Sequence, residues 1–244
     1  MKAVICLLLM IGLTGCQALR NQKPLLSDSG LLQQAAGPEQ TARLHSELVR
    51  GMIDRGQYYA ALAHLEEQER KTGGSDEIRH LRADTLSRLG RHDEAQQIYQ
   101  GLLRGSFAAE AHHGIALYHQ DKSNDAEALS HFRDAVRLKP TDAQMRNDLG
   151  YALMLQGEKA DARLHLATAF ELAAATERFR NNYIMALIWM GDEDTARKVA
   201  KAADVDGKTM ADLRIRAQKL RVKQAEGLKS SENSAVVTGR AQNA

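Results

Sequence analysis

The sequence predicts an all-α protein, built as a superhelix of about five helix–turn–helix repeats closed by a further helix. Three observations carry this expectation. The chain of 244 residues has only three prolines and 5% aromatic residues, and it is rich in Ala, Leu, Glu, Gln and Arg, a composition of good helix formers. Five segments align with one another: RGQYYAALAHLEEQ, LGRHDEAQQIYQGL, KSNDAEALSHFRDAV, QGEKADARLHLATAF and MGDEDTARKVAKAA. Each places an alanine at the same point (Ala61, Ala95, Ala128, Ala162, Ala196), at spacings of 34, 33, 34 and 34 residues.

The first element is the N-terminal run MKAVICLLLMIGLTGCQALR. Lys2 precedes eleven apolar residues, Ala3 to Leu13. A membrane-spanning helix needs about 20 apolar residues, so this run fits a secretory signal instead. It ends at Leu13-Thr14-Gly15-Cys16, which resembles the bacterial lipobox. That resemblance implies a signal peptide over 1–15, cleavage before Cys16 and three acyl chains, palmitate among them, on the new N-terminus. One acyl chain gives only marginal membrane binding; three are expected to anchor the protein stably. Gln17 stands where an aspartate would favour inner-membrane retention. The expected location is therefore the outer membrane, on its periplasmic face. Residues 16–41, with Gln, Ser, Gly and two prolines, read as the lipidated cysteine and a flexible tether.

The repeats are expected at 42–75, 76–108, 109–142, 143–176 and 177–208. The shared alanine sits where two helices cross, because a larger side chain would push them apart. Five residues earlier stand Gly56, Gly90, Ser123, Gly157 and Gly191, at the end of each first helix, where a left-handed conformation costs glycine little. Phe132, Ala135 and Pro140 add a large residue, a small one and a stop at the end of the third repeat. With Leu149-Gly150 opening the fourth, the pattern resembles the tetratricopeptide repeat, a helix–turn–helix of 34 residues. Departures are Val49 and Gln68 in the first repeat, Ser123 in the third and Ala200 in the fifth.

After the repeats, Met210, Leu213, Ala217 and Leu220 share one helical face, the pattern of a capping helix over 209–228. Residues 197–229 hold ten Lys and Arg against four Asp and Glu, so this end is basic. The last segment, 229–244, has little core-forming content and reads as a disordered tail.

Several function classes receive no support. Total charge is close to balanced, 33 Lys and Arg against 31 Asp and Glu, so nothing global favours nucleic acid. Cys6 leaves with the signal and Cys16 takes lipid, so no disulfide is expected. There is no phosphate-cradling glycine loop, no His-Glu-x-x-His and no Gly-x-Ser-x-Gly. Nine histidines, among them His112, His113 and His119, lack a metal-ligand spacing. No catalytic residue, metal, cofactor or small-molecule substrate is expected.

Binding is expected in the groove lined by the first helix of each repeat. There the first two repeats place charges, while the last two offer Asn147, Asn181 and Asn182 beside Tyr151, Met154, Met185 and Trp189. An Asn side chain both donates and accepts, so it can hold a peptide backbone without reading its sequence. Met and aromatic side chains make adaptable apolar pockets. The alternative for the same residues is packing against the capping helix.

The combination of lipobox, length and the run RNDLGYALMLQGEKADARLHLATAFEL…RNNYIMALIWMGDEDTA resembles the TadD-like lipoproteins of the Tad (Flp pilus) assembly system. That resemblance implies a pilotin-like adaptor that binds the outer-membrane secretin or other pilus-assembly proteins and supports pilus assembly and protein export. A general periplasmic scaffold for peptidoglycan or envelope enzymes is the other reading of the same features.

Overall fold

The computed structural model describes residues 37–241. The expected signal peptide, Cys16 and the expected tether up to residue 36 lie outside the described residues. The chain divides into two units, Met1–Leu48 and Val49–Ala244. Of the first, the described part is the start of helix α1 (Pro38–Asp54), which begins within the stretch expected as tether.

The second unit is all-helical among the described residues. After the end of α1 come α2 (Tyr58–Thr72), α3 (Asp76–Arg88), α4 (His92–Leu102), α5 (Ala108–Asp121) and α6 (Asp125–Leu138). They are followed by α7 (Ala143–Gln156), α8 (Lys159–Leu172), α9 (Glu177–Met190), α10 (Glu193–Ala202) and α11 (Gly207–Ala241). The five expected repeats are the successive pairs from α1–α2 to α9–α10. The last helix starts where a capping helix was expected and continues as helix to Ala241, through much of the segment read as a disordered tail.

The turn inside each repeat is one motif, used five times. Gly56, Gly90, Gly157 and Gly191 have φ between 72° and 93°. The amide of the next residue reaches back to the last full turn: Gln57 to the Met52 carbonyl, Arg91 to Leu86, Asn124 to His119, Glu158 to Leu153 and Asp192 to Leu187. The amide at the turn position itself bonds a second carbonyl, as Gly157 does to Met154. These paired bonds satisfy orphan carbonyls at the helix end and reverse the chain. The third repeat makes the same turn without glycine, and Ser123 adopts φ 59° there. A side chain in that conformation costs roughly 1–2 kcal/mol, which the rest of the motif offsets. Asp204 (φ 49°) repeats the device between α10 and α11.

Helix starts are fixed by side-chain acceptors. Ser75 caps α3 through the Ile78 amide (3.3 Å), Asp142 caps α7 through Met145 (2.9 Å) and Asp192 caps α10 through Thr195 (3.2 Å). The Thr195 hydroxyl and amide hold the Asp192 carboxyl below the usual carboxylate range.

The five repeat alanines are all buried. Four residues further along, Leu65, Tyr99, Phe132, Leu166 and Ala200 fill the space between repeats, and all are buried. The core is continuous from α5 to α11: Phe132, Leu149, Leu153, Leu166, Ile184 and Leu187 lead to Met210, Leu213, Ala217 and Leu220 on α11. A separate cluster around Leu86 and Tyr99 joins α2 to α5. Val49, a large residue where small ones are usual, is fully buried with Ile53, Leu65 and Leu81.

Candidate peptide-binding groove

The first helices of the repeats, α3, α5, α7 and α9, lie side by side and carry the groove. Polar side chains of α5, α7 and α9 form one connected ladder. On α7, Asn147 is almost completely buried. Its Nδ2 donates to Asp148 Oδ1 (2.8 Å), and its Oδ1 accepts from Asn182 Nδ2 on α9 (3.0 Å). The other oxygen of Asp148 meets His113 Nε2 of α5 at 2.9 Å. Arg178 of α9 donates to Asp148 Oδ1 at 3.1 Å. Buried polar groups of this kind hold their geometry because an unmade bond would cost about 1–3 kcal/mol each. The ladder fixes the register of α5, α7 and α9.

Beside the ladder is a cleft of about 420 Å³. It is lined by Gln120, Gln144, Tyr151, Arg178, Asn181 and Arg216, together with the exposed edges of the ladder. Asn181 is held from both sides on its own helix, by Arg180 (3.3 Å) and Glu177 (3.4 Å). This wall of amides and guanidinium groups suits backbone carbonyls and amides of an extended chain.

The apolar half of the expected site lies elsewhere. Met154, Met185 and Trp189 are buried in the core that α11 covers. Helix α11 crosses the ends of α7 and α9 and makes polar contacts as specific as its apolar ones. Trp189 Nε1 donates to Gln224 Oε1 (2.9 Å). Gln224 Nε2 donates to the carbonyls of Met154 (2.9 Å) and Leu155 (3.0 Å) at the end of α7. Arg221 donates to the Trp189 carbonyl (2.8 Å) and to that of Ile188 at the end of α9. Those carbonyls are the negative ends of their helices, so a guanidinium there is doubly favoured. Lys159 stands over the indole ring at 5.6 Å. At the last two repeats the chain's own helix thus occupies the stretch of groove that Trp189, Met154 and Met185 would otherwise present.

The sequence expectation did not include Asp148, Arg178, Arg216, Arg221 or Gln224. Two signals were available: Asp148 directly follows a groove asparagine, and Arg221 and Gln224 are three apart on the apolar face of a basic helix.

A second cleft, of about 500 Å³, spans α3, α4, α5 and the start of α7. Its walls include His80, Asp84, Arg88, Glu110, Asp121 and Asp142. His80 stacks on Phe107 (5.0 Å between ring centres), and burial pushes its pKa down. Between α5 and α6, His112 Nδ1 and His131 Nδ1 lie 2.9 Å apart, and His119 stacks on His131. Burial lowers the pKa of both His112 and His131. Among the described residues no group of three His, Cys, Asp or Glu is placed to hold a metal ion, and no helix is long and apolar enough to cross a membrane.

Turn motif, alanine crossings and groove together define a tetratricopeptide-repeat protein of the kind that holds protein partners. The family profile described as Tetratricopeptide repeat matches residues 76–104, which span α3 and α4. The TPR repeat-containing protein PA4299 of Pseudomonas aeruginosa is 35% identical over 219 residues, 89% of this chain and 85% of that one. The chain belongs to the tetratricopeptide-repeat family. Among solved structures, the TPR protein TTC0263 of Thermus thermophilus matches 74% of this chain and 98% of its own, with a TM-score of 0.53 and 23% identity. PilF of Pseudomonas aeruginosa matches 79% and 86%, with a TM-score of 0.57 and 16% identity. Both share its fold.

Proposed function

We propose that this protein is a lipid-anchored periplasmic adaptor of the TadD-like kind, pilotin-like, that binds the secretin or another component of a Tad/Flp pilus machine. The observation that carries the reading is the order of its parts. A run that resembles the lipobox and ends at Cys16 precedes, in sequence, a repeat array whose groove is lined with amides. Lipid on Cys16 holds one end at the outer membrane. The groove holds a segment of the partner, which raises the partner's effective concentration at that membrane. Residues Tyr151, Asn181 and Asn182 would make the contact, with Arg178 and Arg216 beside them.

The test is capture from detergent-solubilised envelopes with the full-length, tagged protein. A Tyr151→Ala/Asn181→Ala variant serves as the groove control, because both side chains are only half-buried. Recovery of a secretin or pilus-assembly protein, lost in the variant, supports the reading. Recovery of peptidoglycan enzymes alone replaces it with a general envelope scaffold. A palmitate label that disappears in Cys16→Ala, with loss from the outer-membrane fraction, tests the anchor.

A further inference from the structure

Where repeats four and five join, the end of α8, the start of α9 and the end of α10 surround a cleft of about 610 Å³. It shares no lining residue with the groove. Phe170, Val199 and Ala203 give it an apolar wall. Phe170 is half-buried and stacks on Tyr183 of α9 (5.7 Å between ring centres), which holds the ring in place. Val199 packs against the main core. Ala174 stands at the repeat position that Phe107 and Pro140 hold in the second and third repeats. The linker over 173–176 is three alanines and a threonine, so it brings no large side chain to cover that wall.

The charged residues that line the cleft are all of one sign. Arg180 and Lys198 line it, and no carboxylate does. Arg180 Nε donates to the Asn181 side-chain oxygen (3.3 Å), and neither Arg180 nor Lys198 has an ion-pair partner among the described residues. Their neighbours are paired: Arg178 meets Asp148 (3.1 Å), and Arg197 meets Asp194. An apolar wall gains from being covered, and two free cations beside it gain from carboxylates placed at its rim. Together they specify an occupant that is apolar at its centre and acidic at its edges.

We propose that this cleft is a second docking site, which takes a large apolar side chain of a partner protein flanked by aspartate or glutamate. The apolar side chain lies against Phe170 and Val199, and the carboxylates reach Arg180 and Lys198. The site uses none of the side chains assigned to the groove contact, so each can fail without the other.

The test is selection from a library of random dodecapeptides displayed on phage, panned against the immobilised whole protein. Enriched peptides are made with a fluorescein label and titrated by fluorescence anisotropy at low and at roughly tenfold higher salt, since screening weakens contacts between exposed charges. One class should pair an aromatic residue or leucine with adjacent Asp or Glu and bind more weakly as salt rises. Lys198→Glu, at an exposed position, should weaken that class by about fivefold to tenfold, because it sets like charges together. Val199→Asp, checked for its fold by far-UV circular dichroism, should abolish binding by placing a carboxylate on the apolar wall. Lys219→Glu, the same charge change on exposed α11, should leave it unchanged, and so should Tyr151→Ala/Asn181→Ala in the groove. The inference is overturned if no enriched peptide weakens with Lys198→Glu, or if those that do carry no Asp or Glu beside an apolar residue. Peptides that respond only to Tyr151→Ala/Asn181→Ala would support the groove and remove this second site.

Discussion

Gly150 gives the sharpest stability test. It lies inside α7, buried against α8. A Cβ built there would sit 2.7 Å from Leu166 Cγ and 3.0 Å from the Leu166 backbone nitrogen. The leucine side chain could turn, but the backbone nitrogen belongs to a helix held by Ala162, Leu166 and Ala169, all fully buried. Replacing glycine by alanine within a helix gains about 1 kcal/mol in propensity. Overpacking a tight contact costs about 1–3 kcal/mol, and a clash with backbone falls at the upper end. Gly150→Ala is therefore expected to lose about 1–2 kcal/mol net. At roughly 2–4 °C per kcal/mol for a protein of this size, Tm should fall by about 2–8 °C. Gly101 supplies the control. It is helical and exposed in α4, and nothing lies within 4 Å of its Cβ position, so Gly101→Ala should gain about 0.5–1 kcal/mol. Far-UV circular dichroism on heating reads both. If Gly150→Ala melts at or above Gly101→Ala, the α7–α8 crossing is not the close contact described and the argument from packing fails.

Three further outcomes follow from named contacts. Trp189 is the only tryptophan, and α11 covers it, so Gln224→Ala should destabilise the protein by about 1–2 kcal/mol and move the Trp emission to longer wavelength; unchanged emission would mean that α11 does not depend on this contact. Ala162→Leu at the α7–α8 crossing should cost about 1–3 kcal/mol by urea denaturation, whereas the same change at exposed Ala160 should cost little. His80, His112, His131 and His165 all have pKa values pushed down, chiefly by burial, so the unfolded chain binds more protons than the folded one. Their contribution is fully present above the unfolded value near 6.5 and is lost as pH falls through the lower folded values. Tm should drop as pH is taken from about 7.5 to 5.5, and His112→Gln/His131→Gln should flatten that slope; a profile as steep as the parent's would place the effect elsewhere.

The repeats were legible because their causes are local or periodic. The turn glycines at Gly56, Gly90, Gly157 and Gly191 answer to a left-handed backbone, and the alanines from Ala61 to Ala196 answer to a helix crossing that recurs with the repeat. Even Ser123, which breaks the glycine pattern, keeps the turn, because the flanking hydrogen bonds belong to the motif and not to one residue. The apolar face of Met210, Leu213, Ala217 and Leu220 likewise announced a helix with something to cover.

Where that helix goes could not be read in the same way. Repeat position assigns Trp189, Met154 and Met185 to the groove side of their helices, and it is silent on whether solvent or another helix lies there. The contacts that decide it join residues 35 to 70 positions apart: Trp189 to Gln224, and Gln224 to the Met154 carbonyl. The same holds for the ladder from His113 through Asp148 and Asn147 to Arg178 and Asn182, which exists only once three repeats are stacked. Periodicity within one helix sets its faces; the neighbours that meet those faces are set by how the repeats stack, because each repeat buries itself only against the next. Sequence alone determined the repeats, their turns and their crossings. The tertiary structure decided which stretch of the groove stays open and which the protein fills with its own last helix.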